Sequence, residues 1–217
     1  MVADDACTPA ARITKSLLGH GVLAGPVYVI ASVVQGLLRP GFDFTRDSWS
    51  LLSIGPHGWI HVLVFLLTGL MVAAAGVGFR RQARNIAGPA LVVYGALLFL
   101  AGLARPDAAG SGFSTHGLLH LAAGGLGFVA FAVAALVMAR RFRQQVARSW
   151  ATWSLVAGLA LLVGFLGVAT GSSSSPVVLG FTAAVVLSWV WLTTVSTRLY
   201  REAAAEGRTP AAMRATT

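Results

Sequence analysis

The chain contains six long apolar runs, and this feature constrains its fold more than any other. Each run is close to the roughly 20 residues that a helix needs to cross a bilayer. Inside lipid such runs must be helical, because unpaired backbone N–H and C=O groups are too costly there. The sequence therefore predicts an all-α membrane protein, a bundle of six transmembrane helices. The predicted spans are Leu17–Leu38, Trp59–Phe79, Ile86–Ala104, Gly117–Ala139, Ala151–Thr170 and Val177–Leu199.

Composition agrees with this class of protein. Hydrophobic residues make up 56% of the 217-residue chain and charged residues only 11%, whereas soluble domains carry about 25% charge. The segments between the runs are too short to fold separately. We therefore predict one membrane domain over residues 15–200, with tails at 1–14 and 201–217. The single cysteine, Cys7, excludes an intrachain disulfide.

The basic residues are distributed unevenly, in a pattern that predicts the topology. Of the sixteen Lys and Arg residues, thirteen lie in the two tails and in alternate connections. An excess of Lys and Arg marks cytoplasmic segments, so both termini are predicted to be cytoplasmic in a multi-pass protein of the cell membrane. The net charge of +9 then reflects attraction to anionic lipid headgroups rather than to nucleic acid. The three exceptions are Arg39, Arg46 and Arg105.

An internal repeat relates the first predicted hairpin of helices to the second. Three short motifs occur in the same order in helices 1–2 and in helices 3–4. Repeats of two helices run in the same direction, so an axis along the membrane normal would relate them. The motifs are Ala-Gly-Pro at 24–26 and 87–89, Arg-Pro at 39–40 and 105–106, and His-Gly-x-x-His at 57–61 and 116–120.

Four histidines belong to the two His-Gly-x-x-His motifs: His57, His61, His116 and His120. A spacing of four residues places both rings of a pair on one helix face, as a pair of metal ligands requires. Both motifs open predicted helices at the outer side, so all four rings could meet, and zinc is one metal that such ligands would suit. The alternative is that these histidines cap helix ends or bond a neighbouring loop without any ligand.

Charged residues in two outer connections form a second candidate site. Their charges balance, which is typical of ion pairs that tether a loop. In the alternative interpretation, Arg39 and Arg46 bind an anionic headgroup or carboxylate, while Asp43 or Asp47 serves as a base or as a partner to His61. The candidate ligand-binding residues are Arg39, Asp43, Arg46, Asp47, Arg105 and Asp107.

Four segments carry a resemblance to a known family. The chain resembles the bacterial membrane family catalogued as domain of unknown function 998, over essentially residues 15–200. The resemblance implies a helical membrane fold and a membrane location, but no activity. The matching segments are Ala24–Pro26, Arg39–Asp43, Leu52–Trp59 and His116–His120.

Three functional hypotheses follow from these features. The first, which we favour, is a binding or sensing protein with a polar His/Arg/Asp pocket at the outer side for a small molecule, lipid headgroup or metal, because the polar residues cluster at one end. The second is a metal-dependent membrane hydrolase, and the third a structural or accessory subunit. The helix interiors lack Asp, Glu, Lys and Arg, which disfavours an ion-coupled transporter.

Overall fold

A computed structural model describes residues 8–108, 111–112, 114–170 and 172–207. Within these ranges the chain forms six α-helices and one short 3-10 helix, and no strand. The all-α prediction is confirmed. The helices are α1 (Pro9–Leu38), α2 (Gly58–Ala83), α3 (Ala87–Leu103), α4 (Thr115–Gln144), α5 (Arg148–Ala169) and α6 (Ser175–Gly207), and the 3-10 helix is Trp49–Ser53.

Helix length and composition support a multi-pass membrane protein. Five of the helices in the described ranges are long and apolar enough to cross a membrane, and α3 is apolar but has only 17 residues. Outside the predicted domain of 15–200, α1 extends back to Pro9 and α6 extends forward to Gly207. Cys7 and the tail from residue 208 onward lie outside the described residues.

Each helix packs against the next along the chain, and α6 returns to α1, which closes a ring. Helices α1, α3 and α5 end where α2, α4 and α6 begin, so the connections 39–57, 104–114 and 170–174 lie at one end of the bundle. We call this the 39–57 end; the basic residues predict that it faces outward. The short connections 84–86 and 145–147 lie at the opposite end.

Two glycines of α1, Gly21 and Gly25, allow this helix to approach α6 closely. A Cβ on Gly25 would lie 2.7 Å from Thr193 Oγ1 and 2.9 Å from the Trp189 carbonyl oxygen on α6. Only glycine permits this separation of the two helices.

The α2–α3 interface is also built on glycines, which the sequence analysis did not identify. A Cβ on Gly69 would lie 2.7 Å from the Gly95 carbonyl oxygen, and one on Gly95 would lie 2.5 Å from the Gly69 carbonyl oxygen. Further along the same interface, a Cβ on Gly76 would lie 2.7 Å from the Gly88 carbonyl oxygen. The two glycines on each helix are seven residues apart, Gly69 and Gly76 on α2 and Gly88 and Gly95 on α3. This spacing keeps the two backbones in contact along the hairpin.

Candidate functional site

A partly open cavity of about 250 Å³ lies at the 39–57 end of the bundle. All six helices and the 3-10 helix contribute to its wall, so it occupies the centre of the ring. Aromatic side chains dominate this wall. The eight lining rings are Tyr28, Trp49, Phe65, Tyr94, Phe128, Phe165, Phe181 and Trp189.

Contacts between these rings hold the inner wall of the cavity. Tyr28 stacks on Trp189 with ring centroids 4.7 Å apart and on Trp49 with centroids 6.0 Å apart. Phe65 meets Tyr28 edge-on at 6.0 Å, and Tyr94 lies 6.5 Å from Trp189. Aromatic pairs at these separations favour a fixed mutual geometry. The wall therefore joins α1, α2, α3 and α6 through ring contacts.

His120 lies on the cavity wall and has a defined tautomer. Its Nδ1 lies 2.8 Å from the carbonyl oxygens of Ala101 and Ala104, at the C-terminal end of α3. Carbonyl oxygens only accept hydrogen bonds, so Nδ1 must carry the proton and donate to them. In the neutral ring Nε2 is then an acceptor, and it makes no hydrogen bond to a described residue.

His61 lies deeper than His120 and differs from it in hydrogen bonding. Its side chain is fully buried, at 0% exposure, and neither ring nitrogen has a hydrogen-bond partner among the described residues. Its ring meets Phe65 edge-on at 5.0 Å and Tyr28 at 5.8 Å. Phe65 also meets His120 edge-on at 5.9 Å. Both histidines therefore border the same phenyl ring.

The first histidine of each motif lies at the surface. His57 and His116 are exposed near the beginnings of α2 and α4, whereas His61 and His120, one helical turn further on, are turned inward. The described residues contain no group of three or more His, Cys, Asp and Glu side chains that could hold a metal ion. The structure thus does not bring the four histidines together into the zinc site that was considered from the sequence.

Arg39 holds the 39–57 connection against the bundle. Its Nη1 donates to the Leu51 carbonyl oxygen at 2.6 Å, and its guanidinium lies over the Phe42 ring at 5.9 Å. Together with Asp47 it lines a separate, smaller cavity of about 180 Å³. Neither Arg39 nor Asp47 lines the large cavity.

The carboxylates of the 39–57 connection make local hydrogen bonds. Asp43 accepts from the Thr45 hydroxyl at 2.7 Å and from the Thr45 N–H at 2.8 Å, and these two bonds hold the pKa of the Asp43 carboxyl below its usual range. Asp47 accepts from the Asp43 N–H at 2.9 Å, and Arg46 lies 3.9 Å from the Asp43 carboxylate. These contacts shape the turn, and none of the three charged residues lines the large cavity.

Asp107 differs from the other candidate carboxylates because it lines the large cavity. It accepts hydrogen bonds from the Ser114 hydroxyl and, at 2.9 Å, from the Ser114 N–H. These bonds lower the pKa of the Asp107 carboxyl, the hydroxyl bond contributing most. Ser114 in turn caps α4 by accepting from the Gly117 N–H at 3.0 Å. Arg105 is exposed and makes no ion pair with a described residue.

Comparison with known families places the chain in one of them. The model of the family described as "Protein of unknown function (DUF998)" matches residues 22–198, which is most of the chain. The chain belongs to the DUF998 family. Comparison with curated proteins and with solved structures found no match. Because the family description assigns no activity, function in this DUF998 protein has to be argued from the site.

The cavity of this DUF998 protein differs from the predicted His/Arg/Asp pocket. Of the ten candidate residues, only His120 and Asp107 line it, and eight aromatic rings contribute to the rest of the wall. One sequence signal could have identified part of this wall. Tyr28 and Tyr94 are two of only three tyrosines, and they stand in apolar runs 66 positions apart (94 − 28), the same offset as Arg39 and Arg105 (105 − 39).

Proposed function

We propose that this DUF998 protein binds a small amphiphilic molecule in the cavity at the 39–57 end. The observation that carries the proposal is a cavity of about 250 Å³ whose wall combines eight aromatic rings with polar side chains that include His120 and Asp107. Mostly apolar walls with a few placed polar groups are typical of small-molecule sites. Such a wall favours a ligand with an apolar body and one polar group.

The cavity volume limits the size of that ligand. At about 250 Å³ it lies just below the range of roughly 300–1,000 Å³ that is common for ligand pockets. A short alkyl chain or a single aromatic ring with a polar group would fit. A whole membrane lipid would have to leave most of its length outside, so only one of its chains or its headgroup would enter.

Binding is favoured over the two alternatives from the sequence. A metal-dependent hydrolase needs ligands that converge, whereas His57 and His116 are exposed at helix beginnings away from the buried His61. A purely structural subunit has no use for an open cavity where close packing would be more stable. Arg39, Asp43 and Asp47, which bond within the 39–57 connection, are assigned to holding that connection over the bundle.

The proposal includes the membrane topology on which the site depends. All six helices cross the cytoplasmic membrane, both termini are cytoplasmic and the cavity opens outward. Helix α3 has 17 residues and a length of about 25 Å at 1.5 Å per residue, close to the roughly 30 Å of a bilayer core. Its position in the ring between α2 and α4 favours a full crossing.

We also propose that α1–α2 and α3–α4 are copies of one helical hairpin. Support comes from the equivalent positions of the motif histidines: the first is exposed and the second turned inward in both α2 and α4. An experimental structure tests this directly. The two hairpins should superpose by rotation about the bundle axis better than other neighbouring helix pairs; an equal or worse fit would reject the repeat.

Binding can be tested by filling the cavity without disturbing its wall. Gly124 lines the cavity, and a Cβ at this position would meet no atom within 4 Å. The variant Gly124→Leu should therefore occupy the cavity without a clash. Gly180→Leu is the matched control, because Gly180 on α6 also has open space around its Cβ position but is exposed and outside the cavity.

The probes are n-hexylamine, hexyltrimethylammonium, n-hexanol and hexanoate, measured by calorimetry with the protein in nanodiscs. At least one should bind the unmodified protein, and Gly124→Leu should weaken it about tenfold or more while Gly180→Leu leaves it within about twofold. Nanodisc partitioning is common to all three proteins and cancels in the comparison. If no probe distinguishes Gly124→Leu from Gly180→Leu, the cavity is not a binding site for such molecules.

A further inference from the structure

The charge of the cavity wall is negative. Asp107 is the only Asp, Glu, Lys or Arg side chain among the described residues that line the cavity. The basic side chains Arg39, Arg46 and Arg105 of this end of the bundle do not line it. The lowered pKa of Asp107, caused by its hydrogen bonds from Ser114, keeps its carboxylate ionised at neutral pH. An anion entering the cavity would meet this charge without a cation to offset it.

Asp107 and His120 both line the cavity near the beginning of α4. A side chain on Gly117 would overlap the Asp107 carboxylate, so the carboxylate lies directly against α4 at Gly117. Gly117 and His120 are three residues apart on α4, and residues with this spacing are neighbours on one helix face. Both residues line the same cavity. A single polar group of a ligand could therefore reach both.

His120 can accept a hydrogen bond from a ligand but, as the neutral ring, cannot donate one. Its Nδ1–H is already used by the carbonyl oxygens of Ala101 and Ala104. The remaining nitrogen, Nε2, offers a lone pair. A carboxylate or phosphate has no proton to give to this lone pair at neutral pH, whereas an alcohol or an ammonium group has.

The aromatic wall also suits a cation. Aromatic faces attract ammonium groups within about 6 Å of the ring centroid, and more strongly where water is excluded. Tyr28 is stacked against Trp189 and Trp49, so the rings that remain for a cation on this side of the cavity are Trp49, Trp189 and Tyr94. Rings of this kind attract a positive group and give no equivalent attraction to a negative one.

Resting on the proposed function, we infer that the cavity selects amphiphiles with a protonated primary or secondary amine. The ammonium group pairs with the Asp107 carboxylate and donates to His120 Nε2, and the apolar body lies among the aromatic rings. The two contacts make separate demands. Asp107 favours a positive charge, and His120 Nε2 requires an N–H or O–H donor.

The four probes separate these demands. n-Hexylamine has both charge and donor, hexyltrimethylammonium has only the charge, n-hexanol has only the donor, and hexanoate has neither. The expected order in the unmodified protein places n-hexylamine first, about tenfold or more ahead of hexanoate, with the other two between them. Hexanoate binding as tightly as n-hexylamine overturns the inference, even if the Gly124→Leu comparison shows that the cavity binds. Absence of cavity binding by every probe overturns the proposed function instead.

Variants assign the charge preference to one residue. Asp107→Asn should weaken n-hexylamine and hexyltrimethylammonium about tenfold and leave n-hexanol within about twofold. Asp43→Asn is the matched control, since Asp43 is a second hydrogen-bonded carboxylate of this end that does not line the cavity. An equal loss for both cations in Asp43→Asn, or none in Asp107→Asn, rejects the role of Asp107. If Asp107→Asn does not fold, the probe order in the unmodified protein still decides the inference.

Discussion

His61 and His120 are the second histidines of two like motifs, yet within the described part of the chain only the His120 ring makes hydrogen bonds. The His120 ring donates to the carbonyl oxygens of Ala101 and Ala104 at the end of α3, whereas both nitrogens of the buried His61 lack partners among the described residues. At the corresponding end of α1, the side chain of Gln35 bridges to the carbonyl oxygens of Leu52 and His57 instead. In the two hairpins, different side chains therefore donate hydrogen bonds to the backbone carbonyl groups at this end of the bundle.

This difference predicts opposite effects of the same substitution. His120→Phe removes the N–H that donates hydrogen bonds to two carbonyl oxygens, and it should lower the free energy of unfolding by about 1–3 kcal/mol. His61→Phe replaces a polar ring that has no partner with an apolar ring of similar shape, and should leave the free energy of unfolding unchanged or raise it by up to about 1 kcal/mol. Unfolding by SDS titration measures both values.

The comparison contains its own control, because both variants exchange histidine for phenylalanine on neighbouring sides of Phe65. A loss of stability in His61→Phe as large as in His120→Phe would show that His61 has a partner in the membrane. Equal and negligible effects would show that the α3 carbonyl groups do not depend on His120.

The glycine contact between α2 and α3 gives a second prediction. A Cβ on Gly95 would lie 2.5 Å from the Gly69 carbonyl oxygen and 2.6 Å from the Ala73 nitrogen, both backbone atoms that cannot move aside alone. Gly95→Ala should therefore force the helices apart and lower the free energy of unfolding by about 1–3 kcal/mol. The measurement is again SDS titration of the purified protein.

Gly19→Ala is the control for this substitution. Gly19 lies within α1, and a Cβ there would meet no atom within 4 Å. Alanine is favoured over glycine in a helix, so this variant should gain about 0.5–1 kcal/mol. Similar effects of the two substitutions would mean that the α2–α3 contact is not close in the membrane.

Much of the fold could be predicted from the sequence because long apolar runs indicate membrane helices. The predicted and observed limits of α3 differ by one residue at each end, Ile86–Ala104 against Ala87–Leu103. The limits of α6 differ more, since the helix continues to Gly207. Charged residues end an apolar run at the bilayer surface, but they do not end a helix that is stabilised by contacts outside the lipid.

The site was only partly predictable, for a related reason. Spacing placed His61 and His120 inward because helical periodicity fixes a side chain's face. Charge alone could not show which carboxylate reaches the cavity. Asp43 bonds to its neighbour Thr45, while Asp107 bonds to Ser114 at the beginning of α4 and so reaches the wall. Aromatic rings dispersed over six helices become a wall only after the ring of helices has closed.

The proposed topology predicts which engineered cysteines are accessible from outside the cell. In a Cys7→Ser background, cysteines at Thr45 and Ser111 should react with an impermeant thiol reagent in intact cells. A cysteine at Gln82 should react only after the cells are opened. All three positions lie in or next to connections between helices. Labelling of Thr45 and Ser111 with protection of Gln82 requires both α2 and α3 to cross the membrane, so the experiment also tests the short helix.

Reversed labelling would place the cavity on the cytoplasmic side. Labelling at Thr45 but not at Ser111 would mean that α3 does not cross. Quantifying each cysteine after permeabilisation supplies the control, because it shows that every introduced thiol is reactive once the reagent has access.

The bonds from Ser114 to Asp107 predict how stability depends on pH. The folded-state pKa of Asp107 lies below the usual value of an aspartate because the carboxylate accepts these bonds. A carboxyl whose pKa is depressed by folding contributes stability that is present above its unfolded pKa and is lost as pH falls through its folded pKa. The thermal midpoint of the unmodified protein should therefore exceed that of Asp107→Asn at neutral pH, and the two midpoints should converge as pH falls from the unfolded pKa through the folded pKa. Ser114→Ala removes the donor hydroxyl and should reduce the same pH dependence, whereas a difference between the unmodified protein and Asp107→Asn that stays constant from neutral pH to below the folded pKa would show that the bonds do not depend on the carboxylate charge.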